Sequence, residues 1–493
     1  MLLWRTHKNS ILLSLTCIVF YMSFAYDLER TDFIKLFTLY TALFFLFYKL
    51  IKFSKQDVRL LTWISFGFRA VFILAIPNMS QDFYRFIWDG RMLLEGFNPY
   101  LYTPESLLSI GRLPVAQAQE LFEGMGQLNA SHFTNYPPLS QLCYAIAGIF
   151  TSKSILGSVI VLRLVIIAAD FGTLYFGKKL LAHLNKPKHL IFWYILNPFI
   201  IIELTGNLHF EGVMIFFLVW SLYLLHLGKW QWAAVIFGLS VSVKLIPLLF
   251  LPLFWQWFIS KGSMTTSSTG SMTTSSKPSK PNGSVISNVG KKSHNWIPAY
   301  AGMTRLGIFY TIIGLVNLLL FAPFYSFQFL NNYAETVALW FNNFEFNASL
   351  YYIAREIGYL FRGFNEIAII GKISAVLVFV FIVIIAFKRK NKSMQQLITA
   401  MMFALAFYYF TATTVHPWYI ATLLALSIFT KYKFPLVWSF VIVLSYLAYF
   451  NIDGTDKSEN LWIIAIEYAV VYGVFIYEIC LQPYSKANTK WSL

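Results

Sequence analysis

Charge is what this sequence has least of. Only 12% of its 493 residues are Asp, Glu, Lys or Arg, where a soluble domain carries roughly 25%. A mainly water-facing surface is therefore excluded. Acids are the scarcer half, 22 against 38 Lys and Arg, which leaves a net charge of +16. On a soluble chain that excess would suggest nucleic acid. Here the basic residues cluster in short stretches between apolar runs, the mark of cytoplasmic loops, so nucleic acid is set aside as a partner. There are only three cysteines, Cys17, Cys143 and Cys480. All lie in apolar runs and read as small packing residues rather than a disulfide framework. A Walker loop and a dinucleotide fingerprint are both missing, which argues against ATP-driven transport and against nucleotide chemistry in a soluble domain. There is no HExxH motif and no Cys/His spacing that suits zinc.

What the chain has in abundance is apolar and aromatic surface, 58% and 19% of residues. The apolar runs are long and unbroken rather than alternating, so they predict membrane helices and not a barrel. The expected fold class is all-α and polytopic, with about twelve to fourteen crossings at about 20 residues each. The first run, ILLSLTCIVFYMSFAY, follows Arg5 and Lys8 and lacks a small-residue cleavage site. It reads as a spanning helix over 11–26 with a cytoplasmic N-terminus. Further spans are expected at 33–52, 58–77 and 155–176. The short run 136–150 either spans or re-enters. Residues 1–260 form the expected transmembrane core, with a large extracytoplasmic loop at 78–135. Residues 261–305 contain GSMTTSS twice and read as a disordered cytoplasmic insertion. Residues 306–493 return to apolar helices.

One stretch breaks the pattern. SQDFYRFIWDGRMLLEGFNPYLYTP, residues 80–104, gathers Asp82, Arg85, Asp89, Arg91 and Glu95 directly after an apolar run. It reads as a wet loop at the mouth of a membrane protein. A carboxylate just past a helix end is partly shielded and has its pKa raised, which makes Asp82 the candidate general base; the alternative is a loop carboxylate paired with Arg85. Arg85 and Arg91 flank Asp89, and guanidinium forks suit a phosphate; the alternative is ion pairing within the loop. His209 and Glu211 open an apolar helix two residues apart, a spacing that does not put both on one face for a metal. Lys244, inside SVSVKLIPLL, is an intramembrane charge and so a functional candidate by default; its bland reading is snorkelling to the interface. His416 in VHPWY is a candidate for phosphate or sugar, though Trp418 and Tyr419 beside it also suit an interfacial aromatic belt. Arg163 and Asp170 stand seven apart on one helix face and are expected to form a mutual buried pair or an interhelical tie. On the expected topology Asp82, Arg85, Asp89, Arg91, His209, Glu211, Lys244 and His416 all reach the non-cytoplasmic face.

Taken in order, DFYRFIWDGRMLLEGFNPY, YPPLSQL, LRLVIIAAD, NPFIIIELTGNLHFEG, GLSVSVKLIPLLFLP and TVHPWY resemble bacterial GT-C-type membrane glycosyltransferases. The group resembled is mannosyltransferase-like and related to the GPI mannosyltransferases. The resemblance runs from about residue 60 to 420. It implies a polyprenyl-phosphate sugar donor, a hexose such as mannose, inverting transfer to a lipid-linked or cell-envelope glycan acceptor, and an extracytoplasmic site in a bacterial inner membrane. It also maps the family's catalytic acid onto Asp82. Relatives often carry two neighbouring acids there; here Phe83 and Tyr84 follow Asp82, and the next acid is Asp89. No cofactor is certain, and the use of a divalent cation stays open. A lipid-linked glycan flippase, or a polymerase or ligase of surface polysaccharide, would share most of these features.

Overall fold

In the computed structural model residues 2–264, 296–342, 344–450 and 459–481 are described. Their regular structure is helical, without a strand; a single isolated parallel bridge joins Phe346 to Thr414. Six helices are long and apolar enough to cross a membrane: His7–Tyr26, Phe33–Ser54, Ile155–His183, Tyr300–Phe324, Ile367–Lys388 and Leu461–Leu481. A bent pair, Lys188–Ile195 and Pro198–Gly206, meets at 51° and has the composition of one further span. Shorter apolar helices, among them Glu211–His226 and Trp230–Val243, pack between them. This is a polytopic helical membrane protein. Of the proposed insertion 261–305, residues 265–295 lie outside the described residues, as do the last residues of the basic tail; its two ends are helical rather than disordered, in Phe254–Met264 and Trp296–Phe321.

The first part of the chain carries α1 (Leu2–Tyr26), α2 (Phe33–Ser54), α3 (Val58–Val71), α4 (Asp82–Leu94), α5 (Pro104–Ser109), α6 (Ala118–Ala130), α7 (Pro138–Thr151) and α8 (Ile155–His183). Side chains stop these helices from fraying. Asp32, Asp57 and Ser154 each accept a backbone N–H from the first turn of α2, α3 and α8, which satisfies a donor that the helix itself leaves open. The break in the bent pair has a similar origin. Pro198 opens its second half and Asn197 Oδ1 accepts the Phe199 N–H, so the chain starts a new helix at a new angle.

Two sequence expectations change here. The span expected at 58–77 ends as a helix at Val71, and its 14 residues cover only about 21 Å of an approximately 30 Å hydrocarbon core. The loop expected at 80–104 is for the most part α4. Phe83, Phe86, Ile87 and Gly90 recur at helical spacing and are buried. Asp82 in the first turn and Arg91 in the last each complement the helix dipole. The segment 136–150 proves to be α7, whose 14 residues are also short of a crossing. Its first turn is tied to the end of Trp230–Val243: the Leu139 N–H donates to Ser242 Oγ at 3.3 Å and Ser140 Oγ donates to the Val243 carbonyl at 2.8 Å.

Buried charges hold α3 and α8 to the bent pair. Arg69 Nε donates to Asp170 Oδ2 at 2.7 Å, and its Nη1 donates to the carbonyls of Ser65 and Ile195. Arg163 donates to the carbonyls of Thr205, Gly206 and Ile73. The two residues of α8 are therefore interhelical ties, not a pair with each other. They share a face, but each reaches outward to a different neighbour. In the low dielectric of the interior such groups persist only when hydrogen-bonded in this way.

Helices α4 and α7 approach closely enough to need a residue without a side chain. A Cβ at Gly90 would lie 2.2 Å from the Tyr144 carbonyl oxygen. Because that obstacle is backbone, Gly90→Ala is expected to lower stability by about 1–3 kcal/mol, read as an earlier thermal unfolding transition in detergent. An unchanged transition would contradict this packing.

Candidate active site

Polar groups from distant segments meet where several of these helices end. Asp82 opens α4. Asn129 lies near the end of α6 and its amide reaches Asp82 Oδ1 at 3.4 Å. Glu211 opens the helix Glu211–His226, and Lys244 closes Trp230–Val243 in an extended conformation. The two form an ion pair in which the Lys244 side chain is 19% exposed and that of Glu211 only 4%. A carboxylate at a helix start is favoured by the helix dipole, and the ammonium neutralises the rest of its charge. Lys244 is thus neither lost in the bilayer nor snorkelling alone.

His209 is aimed by its backbone. Leu208 sits at φ +62°, a left-handed conformation that a residue with a branched side chain adopts at a cost of about 1–3 kcal/mol. Just before it, Ile201–Gly206 winds as a π-helix, a wide turn that recurs at functional sites. The turn carries Glu203, which accepts the Tyr446 hydroxyl at 2.7 Å and lies 3.9 Å from His209 Nε2. His209 stacks on Trp418 at 3.8 Å, Trp418 stacks on His416 at 4.6 Å, and His416 stacks on Phe346 at 5.1 Å. The column is held by backbone as well, since Phe346 and Val415 N–H groups donate to the carbonyls of Thr413 and Phe346. Trp418 is part of the site and not a membrane-belt residue alone.

The electrostatics follow from burial. Asp82 keeps some accessible surface, but surrounding protein pushes its carboxyl above the usual range; the Lys244 charge, the Asn129 hydrogen bond and Arg30 pull it partly back. Burial also drives both histidines down, aided by the Lys244 charge: His209 falls well below its ordinary value and His416 to about 3. Both are neutral near pH 7. They can donate or accept a hydrogen bond but bring no positive charge.

The structure brings together Asp82, His209, Glu211, Lys244 and His416. Arg85, Asp89 and Arg91 are engaged with protein, although Arg85 Nη2 and Arg91 Nε have no partner among the described residues. Arg85 Nε donates to Asp89 Oδ1 at 2.8 Å, and its Nη1 donates to the carbonyls of Asn129 and His132. Asp89 Oδ2 accepts from Gln141. Arg91 Nη1 donates to the Ala116 carbonyl and to Gln117. These three groups lock α4 against α6, α7 and the connection before α6. Conversely, sequence reasoning passed over Arg30. Its guanidinium lies 3.2 Å from the centre of the Tyr449 ring, its charge is felt by Asp82, His209 and His416, and among the described residues it has no carboxylate within ion-pairing distance. The one available signal was a lone arginine in the polar turn between two apolar runs.

Several buried polar atoms here lack a hydrogen-bond partner among the described residues: Arg30 Nε, His209 Nε2, Glu211 Oε2 and His416 Nδ1. Folded proteins leave few such atoms unsatisfied; others among the described residues include Arg69 Nη2, Arg85 Nη2 and Arg91 Nε on the bracing arginines. Among the described residues no three His, Cys, Asp or Glu side chains converge to hold a metal ion.

Removing Lys244 alone would leave Glu211 charged, buried and uncompensated. Lys244→Met is therefore expected to destabilise by about 3–5 kcal/mol, and the double variant Lys244→Met/Glu211→Gln by clearly less. Thermal unfolding of the four proteins in a double-mutant cycle measures the coupling; purely additive effects would mean that the pair does not form.

Comparison with known proteins covers the part of the chain that supplies most of this cluster. Residues 30–260 match the family model described as Alpha-(1->6)-mannopyranosyltransferase, N-terminal domain. Alpha-(1->6)-mannopyranosyltransferase A of Mycobacterium tuberculosis is 23% identical over 190 residues, 38% of this chain. The aligned stretch spans 35% of that relative's length. The match starts at Arg30 and contains Asp82, His209, Glu211 and Lys244, whereas Trp418 and His416 lie beyond it. Over residues 30–260 the chain is thus similar to the N-terminal domain of bacterial mannopyranosyltransferases, within an all-helical membrane architecture.

Proposed function

We propose that the protein transfers a hexose, mannose by analogy with its relatives, from a polyprenyl-phosphate donor to a glycan or lipid-linked acceptor at the extracytoplasmic membrane face. The observation that carries this reading is the convergence of Asp82, Lys244 and Arg30 with unsatisfied polar atoms at one group of helix ends. An acid, two cations and neutral hydrogen-bonding imidazoles are the groups that a sugar phosphate and an attacking hydroxyl need.

In the proposed step Asp82 takes the proton of the acceptor hydroxyl. The acceptor oxygen forms a bond to the anomeric carbon on the face opposite the phosphate. The bond from that carbon to the phosphate oxygen breaks, and its electron pair leaves with the polyprenyl phosphate. Inversion follows from the opposite-face attack. Arg30 and Lys244 stabilise the charge that grows on the leaving oxygen, where preformed charges act more strongly than in water because the site is largely buried. His209 and His416 orient sugar or phosphate by hydrogen bonds. The basic ends of two helices support the orientation: Lys178 and Lys179 lie in the last turns of α8, and Lys388 and Lys392 at and just beyond the end of Ile367–Lys388, a pattern that the positive-inside bias associates with a cytoplasmic face.

Reconstitution with a panel of polyprenyl-phosphate sugars tests the reading. Asp82→Asn is expected to lower turnover about 10²–10⁴-fold, the span of general-base contributions, with an unchanged unfolding transition. Equal transfer by wild type and variant would remove Asp82 from the chemistry. Substrate movement across vesicles without transfer, unaffected by Asp82→Asn, would favour a flippase instead.

The pH profile adds a second check. Asp82 must be ionised to act, so kcat/KM falls as pH drops through its raised pKa. The acid limb is expected above the ordinary carboxylate range. Lys244 lowers that pKa, so the residual activity of Lys244→Met should lose its acid limb at higher pH than wild type. A limb that stays in place would separate Lys244 from Asp82.

A further inference from the structure

A second pocket lies far from this site. Arg163 of α8 bonds to Thr205 and Gly206 just before the site loop, whereas Lys186, just beyond the end of α8, donates to the Thr430 carbonyl at 2.7 Å. From Arg163 to the last residue of α8 the helix rises about 30 Å, roughly the thickness of a bilayer's hydrocarbon core. The neighbourhood of Thr430 therefore sits at the opposite membrane boundary. There a cavity of about 50 Å³ opens between the start of the bent pair and the turn 427–433. Its wall is almost wholly apolar, with Leu190, Trp193, Ile428 and Leu436, and Lys431 and Lys433 stand on its lining.

The surrounding charge is mostly positive. Lys188 acts on Lys178, Lys55 acts on His189, and burial pulls Lys186 down to about 8. One acid stands beside the turn: Glu478 accepts the backbone N–H groups of Lys433 and Phe434, and its charge offsets part of that of Lys431 and Lys433. An apolar slot at the end of membrane helices, bordered by lysines, calls for a molecule with a hydrocarbon chain and an anionic head. A second copy of this chain would bring the same lysines against these and be repelled.

We propose that this pocket binds one anionic phospholipid, its acyl chain against Trp193 and Leu436 and its phosphate between Lys431 and Lys433. The site is independent of the transfer chemistry and would stand if that reading fell.

Native mass spectrometry of the full-length protein, with phosphatidylglycerol or phosphatidylcholine added in detergent, tests it. Wild type is expected to retain phosphatidylglycerol preferentially. Lys431→Gln/Lys433→Gln removes the head contacts and Leu436→Trp fills the slot; each should lower that retention on the order of 10-fold, while Lys431→Arg/Lys433→Arg keeps it. Unfolding temperatures distinguish lost lipid from lost fold, and the arginine variant keeps the test decisive if the glutamine variant fails to fold. Equal retention of the two lipids overturns the proposal. So does loss in the glutamine variant with full retention in Leu436→Trp, which would mean diffuse surface attraction. Displacement of the lipid by millimolar inorganic phosphate would make it a free-phosphate site and overturns it equally.

Discussion

The ion pair between Lys244 and Glu211 is the interaction on which the candidate site depends. Two ionised groups sit at helix ends inside an apolar chain, and neither could stay charged there alone. Paired, they fix the end of Trp230–Val243 against the start of Glu211–His226. They also place a positive charge that Asp82, His209 and His416 all feel. The same ammonium pulls the acid toward ionisation and pushes the imidazoles toward neutrality. Burial is the larger cause at all three groups; the ammonium opposes it at Asp82 and reinforces it at the two histidines.

Around that pair the chain separates scaffolding charges from available ones. Arg69, Asp170, Arg163, Arg85, Asp89 and Arg91 are spent on carbonyls and on each other, and they brace α3, α4 and α8. Each makes at least one hydrogen bond to protein, which is what a buried charge needs when it has a structural task, although Arg69 Nη2, Arg85 Nη2, Arg91 Nε and Asp170 Oδ1 have no partner among the described residues. Arg30 differs. It rests on the face of Tyr449, a contact that steadies a guanidinium without using up its donors. A cation held in that way can still meet a phosphate.

Much of this was legible in the sequence, and the misreadings share a cause. Unbroken apolar runs gave α2, α8 and Ile367–Lys388 directly, because length and hydropathy are local properties. Asp82, Glu211, Lys244 and His416 could be singled out because each is polar where its neighbours are not. In residues 80–104 the density of charge suggests a loop and masks the periodicity, although Phe83, Phe86, Ile87 and Gly90 follow the helical repeat. Arg85 and Arg91 looked free for phosphate because their partners, the carbonyls of Asn129, His132 and Ala116, belong to backbone that carries no signal in side-chain identity. Arg30 escaped notice for the converse reason. Its setting lies in Tyr449, more than 400 positions away, and, among the described residues, in the lack of a carboxylate within ion-pairing distance.

The backbone carries its own part of the argument. A left-handed Leu208, a π-turn at Ile201–Gly206 and a 51° break before it are all costly departures from regular helix, and all fall within a stretch of some fifteen residues. A regular helix through this region would carry Glu203 and His209 around its axis and away from Tyr446 and Trp418. The irregular path instead turns both side chains to one side, where the Tyr446 hydroxyl and the Trp418 ring receive them. Lipid cannot satisfy the backbone groups that such a path exposes. Protein does so here: Arg163 takes the Thr205 and Gly206 carbonyls, and Asn207 accepts the Met79 N–H. The buried arginine of α8 is thus what allows a broken helix to stand beside the site, and the strain it supports is what faces His209 toward Trp418.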